Sequence, residues 1–161
     1  MAPSSKLLIA VILCVGSALS QGFGATSESL VNVQKQVQSV LPQARKALVC
    51  IECNGSTASG VIVSADGLVL TAAHVTTGPK KKVRIVLSDG KSVEATSLGV
   101  DTATDAAMVQ LPKPATEWPH VSISRDLRAL NPGQWCFDLG HPGGWDKSRG
   151  SVVRIGRLVD G

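Results

Sequence analysis

Turn-forming residues cut the apolar segments of this chain into short lengths. Asp66-Gly67 separates two β-rich runs, and Asp89-Gly90 separates a second pair. Asp-Gly between apolar runs is a strong signal for a β-hairpin. The predicted strands are residues 47–53, 60–63, 68–71, 83–87, 92–98, 106–111, 134–139 and 151–158. Short strands joined by turns predict an all-β chain, arranged as an antiparallel barrel or sandwich.

One segment ahead of the strands, residues 26–46, has a helical pattern instead. Its apolar side chains recur at steps of three and four, which gives an amphipathic stripe: Leu30, Val33, Val37, Val40, Leu41 and Ala44. Proline lacks the backbone N–H and clashes with the preceding helical turn. We therefore predict a short N-terminal helix over this segment that ends near Leu41, just before Pro42.

The composition excludes several classes of protein. Apolar residues make up 43% of the chain, which is too many for an intrinsically disordered protein. With two Phe, three Trp and no Tyr, the core has to be built mainly from aliphatic side chains, and Val and Ile favour strands. The net charge of +4 is weak for a nucleic-acid binder. The cluster Lys80-Lys81-Lys82 is expected in a solvated loop, so no nucleic-acid partner is predicted.

The first 20 residues have the pattern of a secretory signal peptide. Lys6 supplies a positive charge, residues 7–19 are apolar, and Ala18-Leu19-Ser20 places small residues at both cleavage positions. A poorer site, Phe23-Gly24-Ala25, would put cleavage as late as residue 25. An uncleaved anchor is the alternative, but the apolar stretch is short for a bilayer. We predict an exported protein, periplasmic or secreted, with no stable membrane span after signal cleavage.

The most specific stretch of the chain ends in a histidine: Ala58-Ser-Gly-Val-Ile-Val-Ser-Ala-Asp-Gly-Leu-Val-Leu-Thr-Ala-Ala-His74. Two predicted strands joined by a tight turn deliver this histidine at the end of the second strand, directly after two small residues. The stretch resembles the histidine motif of trypsin-like serine proteases. The segment Gly60-Val-Ile-Val and the helix–Pro–strand entry resemble the Deg (HtrA)-type branch of that family.

Three later segments extend the resemblance. Asp101-Thr-Ala-Thr-Asp105-Ala-Ala-Met-Val-Gln-Leu111 is similar to the family's aspartate motif. Gly133-Gln-Trp-Cys-Phe-Asp-Leu-Gly-His-Pro-Gly-Gly144 is similar to the strand and glycine-rich turn that open its second barrel, and Arg149-Gly-Ser-Val-Val-Arg-Ile-Gly-Arg-Leu158 is similar to the next strand. The resemblance implies a trypsin-like double β-barrel over residues 47–161. The first barrel would be nearly complete, and the second would be truncated, so the domain would be incomplete at its C-terminus.

The resemblance also implies roles for two side chains. Serine is a weak nucleophile at neutral pH, so it needs a base such as histidine, and a carboxylate must hold the other ring nitrogen of that histidine. His74 would be general base and then general acid, and Asp105 would orient it. The hairpin predicted within the 31 positions between them can bring the two together. Asp101 is the rival carboxylate, but the apolar run that directly follows Asp105 favours Asp105.

The nucleophile of the family lies in a Gly-x-Ser-Gly-Gly segment, and the chain contains none. Ser148 and Ser151 are poor substitutes because they precede the position of the family's nucleophile loop. His141 begins a glycine-rich turn that has no serine between its glycines, and His120 lies in a loop. Both histidines are predicted to be turn or surface residues.

We therefore predict a serine-type endopeptidase that hydrolyses polypeptide substrates through an acyl-enzyme. It would be present here as a truncated chain that lacks the nucleophile and is inactive alone. No cofactor and no metal ion is expected. An unfinished second barrel would expose strand edges and apolar faces, so aggregation of the chain is also expected.

Two other functions stay open at this point. The first is a non-catalytic peptide-binding module on the same fold, which would use a half-built cleft or a sheet edge. The second is a secreted metal or redox module built from Cys50, Cys53 and His74, with Cys136 as a further thiol. In an extended strand, cysteines three positions apart are about 10 Å from each other, which is too far for a disulfide.

Overall fold

The computed structural model describes residues 27–76, 78–114, 116–124 and 131–159. The predicted signal peptide of residues 1–20 and the alternative cleavage site at residue 25 lie outside the described residues. Within the described part, two helices and eight strands follow one another. They are α1 (Ser27–Ala47), β1 (Leu48–Cys53), β2 (Ser56–Ile62), β3 (Leu68–Ala72), α2 (Ala73–Thr76), β4 (Lys82–Val86), β5 (Ser92–Asp101), β6 (Ala106–Gln110), β7 (Trp135–Gly140) and β8 (Val152–Arg157). Neither helix is long and apolar enough to cross a membrane.

The first six strands form a closed barrel in the order β1-β2-β3-β6-β5-β4. Closure comes from the antiparallel pairing of β1 with β4, in which Ile51 lies opposite Ile85. The interior is filled by aliphatic side chains that are at most 1% exposed: Val49, Ile51, Ile62, Val69, Val83, Ile85, Val109 and Leu111. Because each of these six strands has a partner on both sides, the described barrel has no free edge.

The Asp66-Gly67 turn between β2 and β3 forms where the sequence predicts it. Gly67 has a φ of +91°, a conformation that glycine adopts without the strain a side chain would bring. The Ser64 hydroxyl donates a hydrogen bond to Asp66 and accepts one from the Leu68 N–H at 2.9 Å. This turn sets the register of the strand that leads to His74.

A separate sheet of two antiparallel strands, β7 and β8, follows the barrel. Phe137 and Leu139 on β7 are 1% and 0% exposed, because they pack against side chains of α1 such as Val37 and Ala44. The sequence predicts uncovered apolar faces in this half of the chain. On β7 that prediction was wrong, since α1 covers the face; on β8, residues Arg154 to Arg157 are exposed.

The helix α1 is longer than the sequence predicts. It continues through Pro42 to Ala47, so the predicted end near Leu41 was wrong. Ala44 and Ala47, beyond the proline, are 2% and 0% exposed. Burial of this last turn offsets the backbone hydrogen bond that Pro42 cannot make, a case of tertiary packing overriding local preference.

The architecture confirms the predicted fold class. The described chain is mostly β, with a closed barrel of six strands, a short N-terminal helix and a second sheet of two strands. All eight predicted strands are present, and their ends differ from the predictions by a few residues, most of all at the start of β2.

Candidate active site

His74 lies where the barrel strand β3 runs into the short helix α2. The two preceding residues, Ala72 and Ala73, are 1% and 5% exposed. Their small side chains let the backbone pass close to the neighbouring strands. The His74 side chain itself is 54% exposed, so it projects from the barrel towards solvent.

Asp105 is placed beside His74 by the register of two paired strands. Ala72 at the end of β3 lies opposite Ala106 at the start of β6. Because the strands are antiparallel, Ala73, which follows Ala72, then lies opposite Asp105, which precedes Ala106. The Ala73 N–H accordingly donates to the Asp105 carbonyl oxygen at 3.0 Å. Asp105 has a φ of +53°, in the left-handed region that aspartate tolerates better than most residues.

The side chains of His74 and Asp105 are hydrogen-bonded through one ring nitrogen. Nδ1 of His74 lies 2.9 Å from Oδ2 and 3.1 Å from Oδ1 of Asp105. The backbone N–H of His74 also donates to Oδ1 at 3.1 Å. The Asp105 side chain is 33% exposed, so the carboxylate is partly open to solvent.

These contacts lower the pKa of the Asp105 carboxyl and fix which ring nitrogen of His74 carries the proton. The imidazole of His74, and next its backbone N–H, hold the pKa of the Asp105 carboxyl below its usual value. An ionised carboxylate only accepts hydrogen bonds, so Nδ1 of His74 has to be the donor. In the neutral ring, Nε2 is then the unprotonated nitrogen and can accept a proton.

The rival carboxylate, Asp101, is engaged in its own turn. It accepts hydrogen bonds from the Ala103 N–H at 3.0 Å and from the Thr104 hydroxyl at 2.7 Å. The Thr104 hydroxyl, followed by the Ala103 N–H, lowers the pKa of Asp101. Asp101 thus shapes the turn that carries Asp105, whereas Asp105 is the aspartate that contacts His74.

Neither serine near the C-terminal end of the described chain is bonded to His74. The Ser148 hydroxyl donates to Asp146 at 2.7 Å within its own turn. Ser151 lines a groove on the side of the molecule formed by the end of α1 and the β4–β5 turn. This groove does not include His74 among its lining residues.

Ser59 and His141 make contacts that the sequence does not predict. Ser59 on β2 accepts a hydrogen bond from the Thr71 hydroxyl on its carbonyl at 3.1 Å and one from the His141 N–H on its hydroxyl at 2.8 Å. It thus joins the strand leading to His74 to the start of the β7–β8 segment. His141 begins a turn, as predicted, since the Gly144 N–H donates to its carbonyl at 3.0 Å, but at 5% exposure it is buried and not a surface residue. No local signal marks either residue, because both contacts join distant parts of the chain.

The cysteines form no disulfide within the described residues. Cys50 and Cys53 are buried on β1, and Cys136 on β7 is half-buried; all three are free thiols. Burial raises the pKa of the Cys50 thiol, which makes it less reactive. In the described ranges, no three or more His, Cys, Asp or Glu side chains are grouped to hold a metal ion, and this includes Cys50, Cys53 and His74.

Comparison with known proteins places the chain in a family. The family described as "Trypsin-like peptidase domain" matches residues 58–160. This range contains β3, the His74–Asp105 pair and both strands of the second sheet. The match therefore covers the whole candidate site.

Individual relatives agree with the family match. HhoB of Synechocystis sp. is 41% identical over 103 residues, which are 63% of this chain and 24% of that protein. Serine protease HTRA4 of Mus musculus is 39% identical over 100 residues, 61% of this chain and 20% of the relative. A DegP-like protein of Marinomonas sp. is 33% identical over 141 residues, 86% of this chain and 29% of the relative. The chain thus spans about a quarter of the length of these curated relatives. It belongs to the trypsin-like peptidase domain family, with HtrA/DegP-type serine proteases as its homologues.

Proposed function

We propose that the chain carries the base half of a serine-type endopeptidase, with His74 as general base and then general acid and Asp105 as the group that orients it. The observation that carries the proposal is the bond from Nδ1 of His74 to the Asp105 carboxylate, at 2.9 and 3.1 Å. It leaves Nε2 as the proton acceptor on a side chain that is 54% exposed and accessible to a nucleophile.

In the proposed reaction, the serine oxygen bonds to the carbonyl carbon of the scissile peptide while its proton moves to Nε2 of His74. The imidazolium then gives that proton to the leaving amine as the C–N bond breaks, which forms the acyl-enzyme. A water molecule, deprotonated by the same nitrogen, hydrolyses the ester and restores the serine. Asp105 stays ionised throughout and stabilises the imidazolium, in keeping with its lowered pKa.

The nucleophile in this proposal is not among the 161 residues, since they contain no Gly-x-Ser-Gly-Gly segment. Ser148 is bonded to Asp146 and has no contact with a base. The chain alone is therefore inactive towards its polypeptide substrates. The length of the relatives, about four to five times the matched segment, supports a nucleophile outside the sequence described.

Export to the periplasm or to the extracellular medium is part of the same proposal. The leader pattern of residues 1–20 supports it. The name of the Marinomonas relative, which describes a periplasmic endoprotease, supports it independently.

A serine-directed fluorophosphonate probe tests the proposal, because it labels only an activated serine. The 161-residue chain should remain unlabelled, and labelling that disappears in Ser148→Ala or Ser151→Ala would overturn the assignment. The coding sequence beyond Gly161 should contain a Gly-x-Ser-Gly-Gly segment. The product that includes it should be labelled, His74→Ala should abolish that labelling, and the matched change His120→Ala should leave it intact. A longer product without such a segment contradicts the proposal.

A non-catalytic peptide-binding module is the second candidate, and the exposed outer strand of the second sheet favours it. Residues Arg154 to Arg157 of β8 are exposed and could pair with an extended peptide. Peptide binding together with labelling by the probe distinguishes the two functions. A peptide binder would bind peptides through the full-length product while remaining unlabelled by the probe.

A further inference from the structure

His141 is a buried histidine that the proposed protease chemistry does not use. It follows β7 directly and is 5% exposed. Its N–H donates to the Ser59 hydroxyl at 2.8 Å, and its carbonyl accepts from the Gly144 N–H at 3.0 Å. Ring nitrogen Nδ1 is buried and has no hydrogen-bond partner among the described residues. The imidazole is therefore held in place by backbone contacts and packing, with one nitrogen unsatisfied.

None of the charged groups around His141 is hydrogen-bonded to its buried Nδ1. It lines a groove of about 460 Å³, together with charged residues from α1, the β4–β5 turn and its own segment: Arg45, Asp89, Asp146, Lys147 and Arg149. The Asp89 carboxylate is paired with Lys91 at 3.0 Å. The Asp146 carboxylate accepts from the Ser148 hydroxyl and N–H at 2.7 and 2.8 Å. Both acids are thus already engaged.

A cation lies close to the His141 turn. The Arg149 guanidinium donates to the Pro142 carbonyl at 2.7 Å and to the Gly144 carbonyl at 3.1 Å. It is thereby fixed against the turn that His141 begins. A proton added to the ring would place a second positive charge in the same partly desolvated region.

The segment that His141 begins also holds the second sheet against the barrel. The backbone N–H of Trp145 faces the Cys50 sulfur on β1 and counteracts the rise in its pKa. The Trp145 ring packs on the β4–β5 turn at Gly90, so closely that a Cβ there would lie 2.8 Å from it. Together with the bond to Ser59, these contacts fasten residues 141–150 to three places on the barrel.

We propose that His141 is a pH-sensitive latch: the neutral ring keeps the segment 141–150 seated on the barrel, and protonation releases it. The buried, unpartnered nitrogen and the neighbouring Arg149 make the charged ring incompatible with the seated state. Release would break the contacts at Ser59, Cys50 and Gly90 together, because all three are made by one short segment.

The direction of the titration agrees with this geometry. Burial, and then the positive charge of Arg149, lower the pKa of His141 below its usual value of 6.5. The released or unfolded state therefore binds a proton more readily than the seated state. The stability contributed by seating is complete above pH 6.5 and is lost as pH falls from there towards the lowered pKa. The Ser148 hydroxyl lowers the pKa of Asp146, the one carboxylate of residues 141–150, so this group titrates outside the window.

The latch itself does not depend on the proposed proteolysis. Only its consequence does, namely that acid would separate the second sheet from the barrel that carries His74. A measurement at His141 and Trp145, with no assay of peptide hydrolysis, therefore tests the latch alone.

Amide hydrogen exchange and ¹⁵N NMR of the 161-residue chain between pH 7.5 and 5 provide the test. Dividing the intrinsic exchange rate by the observed rate gives a protection factor for the His141 N–H. We expect this factor to fall up to about tenfold per pH unit below 6.5, because release of the segment binds one proton. The Trp145 indole N–H signal, assigned with Trp145→Phe, should shift with the same midpoint.

His141→Asn removes the titrating group and should abolish both responses, and His141→Gln serves if the first variant does not fold. His120→Gln is the matched control, because His120 bonds to the Trp118 carbonyl at 2.9 Å outside the segment, and it should keep the wild-type response. A wild-type protection factor that stays constant from pH 7.5 to 5 would overturn the latch. The same pH response in His141→Asn would also overturn it.

Discussion

The barrel and the second sheet cover their apolar side chains in different ways. All six barrel strands are paired on both sides, so closure satisfies their backbone groups and encloses an aliphatic core. The second sheet has two strands, and its apolar face is covered instead by α1, which packs on Phe137 and Leu139. A closed sheet needs no outside element, whereas a two-stranded sheet depends on one.

This difference explains how the candidate site is organised. His74 and Asp105 both lie at the ends of barrel strands, β3 and β6, whose register brings them together. Their contact therefore does not require the second sheet. The segment after β7 instead joins the barrel through a small number of contacts, at Ser59, Cys50 and Gly90. The His74–Asp105 pair therefore depends on the barrel alone, and the second sheet is joined to that barrel by separate contacts.

The largest effect is expected where the second sheet depends on α1. Phe137→Ala removes a side chain that is 1% exposed and should lower the free energy of unfolding by about 3–5 kcal/mol. Ile155→Ala on the neighbouring strand is the control, because Ile155 is 53% exposed and its loss should stay within about 0.5 kcal/mol. Urea unfolding followed by circular dichroism measures both. Equal small losses would show that α1 does not support the sheet.

The next effect concerns the contact between barrel and second sheet. Gly90→Ala and Gly55→Ala both place a side chain at a positive φ, +85° and +78°, and should share a cost of about 1–2 kcal/mol. Only Gly90 faces the Trp145 ring, so it should cost about 1–3 kcal/mol more than Gly55. The extra cost should disappear when both glycine changes are made in a Trp145→Ala background. If it persists there, Trp145 does not form the contact.

The barrel core should show a smaller but clear sensitivity to added volume. A Cβ at Gly60 would lie 2.7 Å from Ile51 and 2.9 Å from Val69. Gly60→Ala should therefore destabilise the barrel by about 1–3 kcal/mol through overpacking. Gly99→Ala is matched to it, since Gly99 is also on a barrel strand and has no atom within 4 Å of its Cβ position. Thermal unfolding should separate the two variants, and equal melting temperatures would contradict a close-packed interior.

The smallest effect is expected on the barrel surface. Lys82 and Glu94 form an ion pair at 3.0 Å, with side chains 80% and 64% exposed. Lys82→Ala should cost no more than about 1 kcal/mol, because solvent and salt screen such pairs. The remaining difference from wild type should vanish in 1 M salt, where the Debye length is about 3 Å instead of about 10 Å at 0.1 M. A larger, salt-independent loss would indicate that Lys82 contributes through packing.

The sequence predicts the barrel well because its signals are local. Short β-rich runs mark the strands, and Asp66-Gly67 marks a turn that the structure contains. The preference for Asp105 over Asp101 also rests on a local signal, the apolar run that becomes β6. Asp105 contacts His74, whereas Asp101 accepts a hydrogen bond from Thr104 within its own turn.

The errors have a common physical origin, which is packing between distant segments. Pro42 breaks a helix in isolation, but burial of Ala44 and Ala47 keeps α1 intact. His141 follows a strand and precedes glycines, a surface pattern, yet docking of its segment on the barrel buries it. No window of neighbouring residues contains these contacts, so no local pattern could have predicted them.

The protonation state of the His74 ring tests the central claim most directly. At pH 8.5, the ¹⁵N shifts of the imidazole should show Nδ1 protonated and Nε2 bare in the neutral ring. Asp105→Asn should disturb this tautomer, whereas the matched change Asp101→Asn should preserve it. A wild-type ring protonated on Nε2, or a ring indifferent to Asp105→Asn, would contradict the assignment of Asp105 as the group that prepares His74 to act as a base.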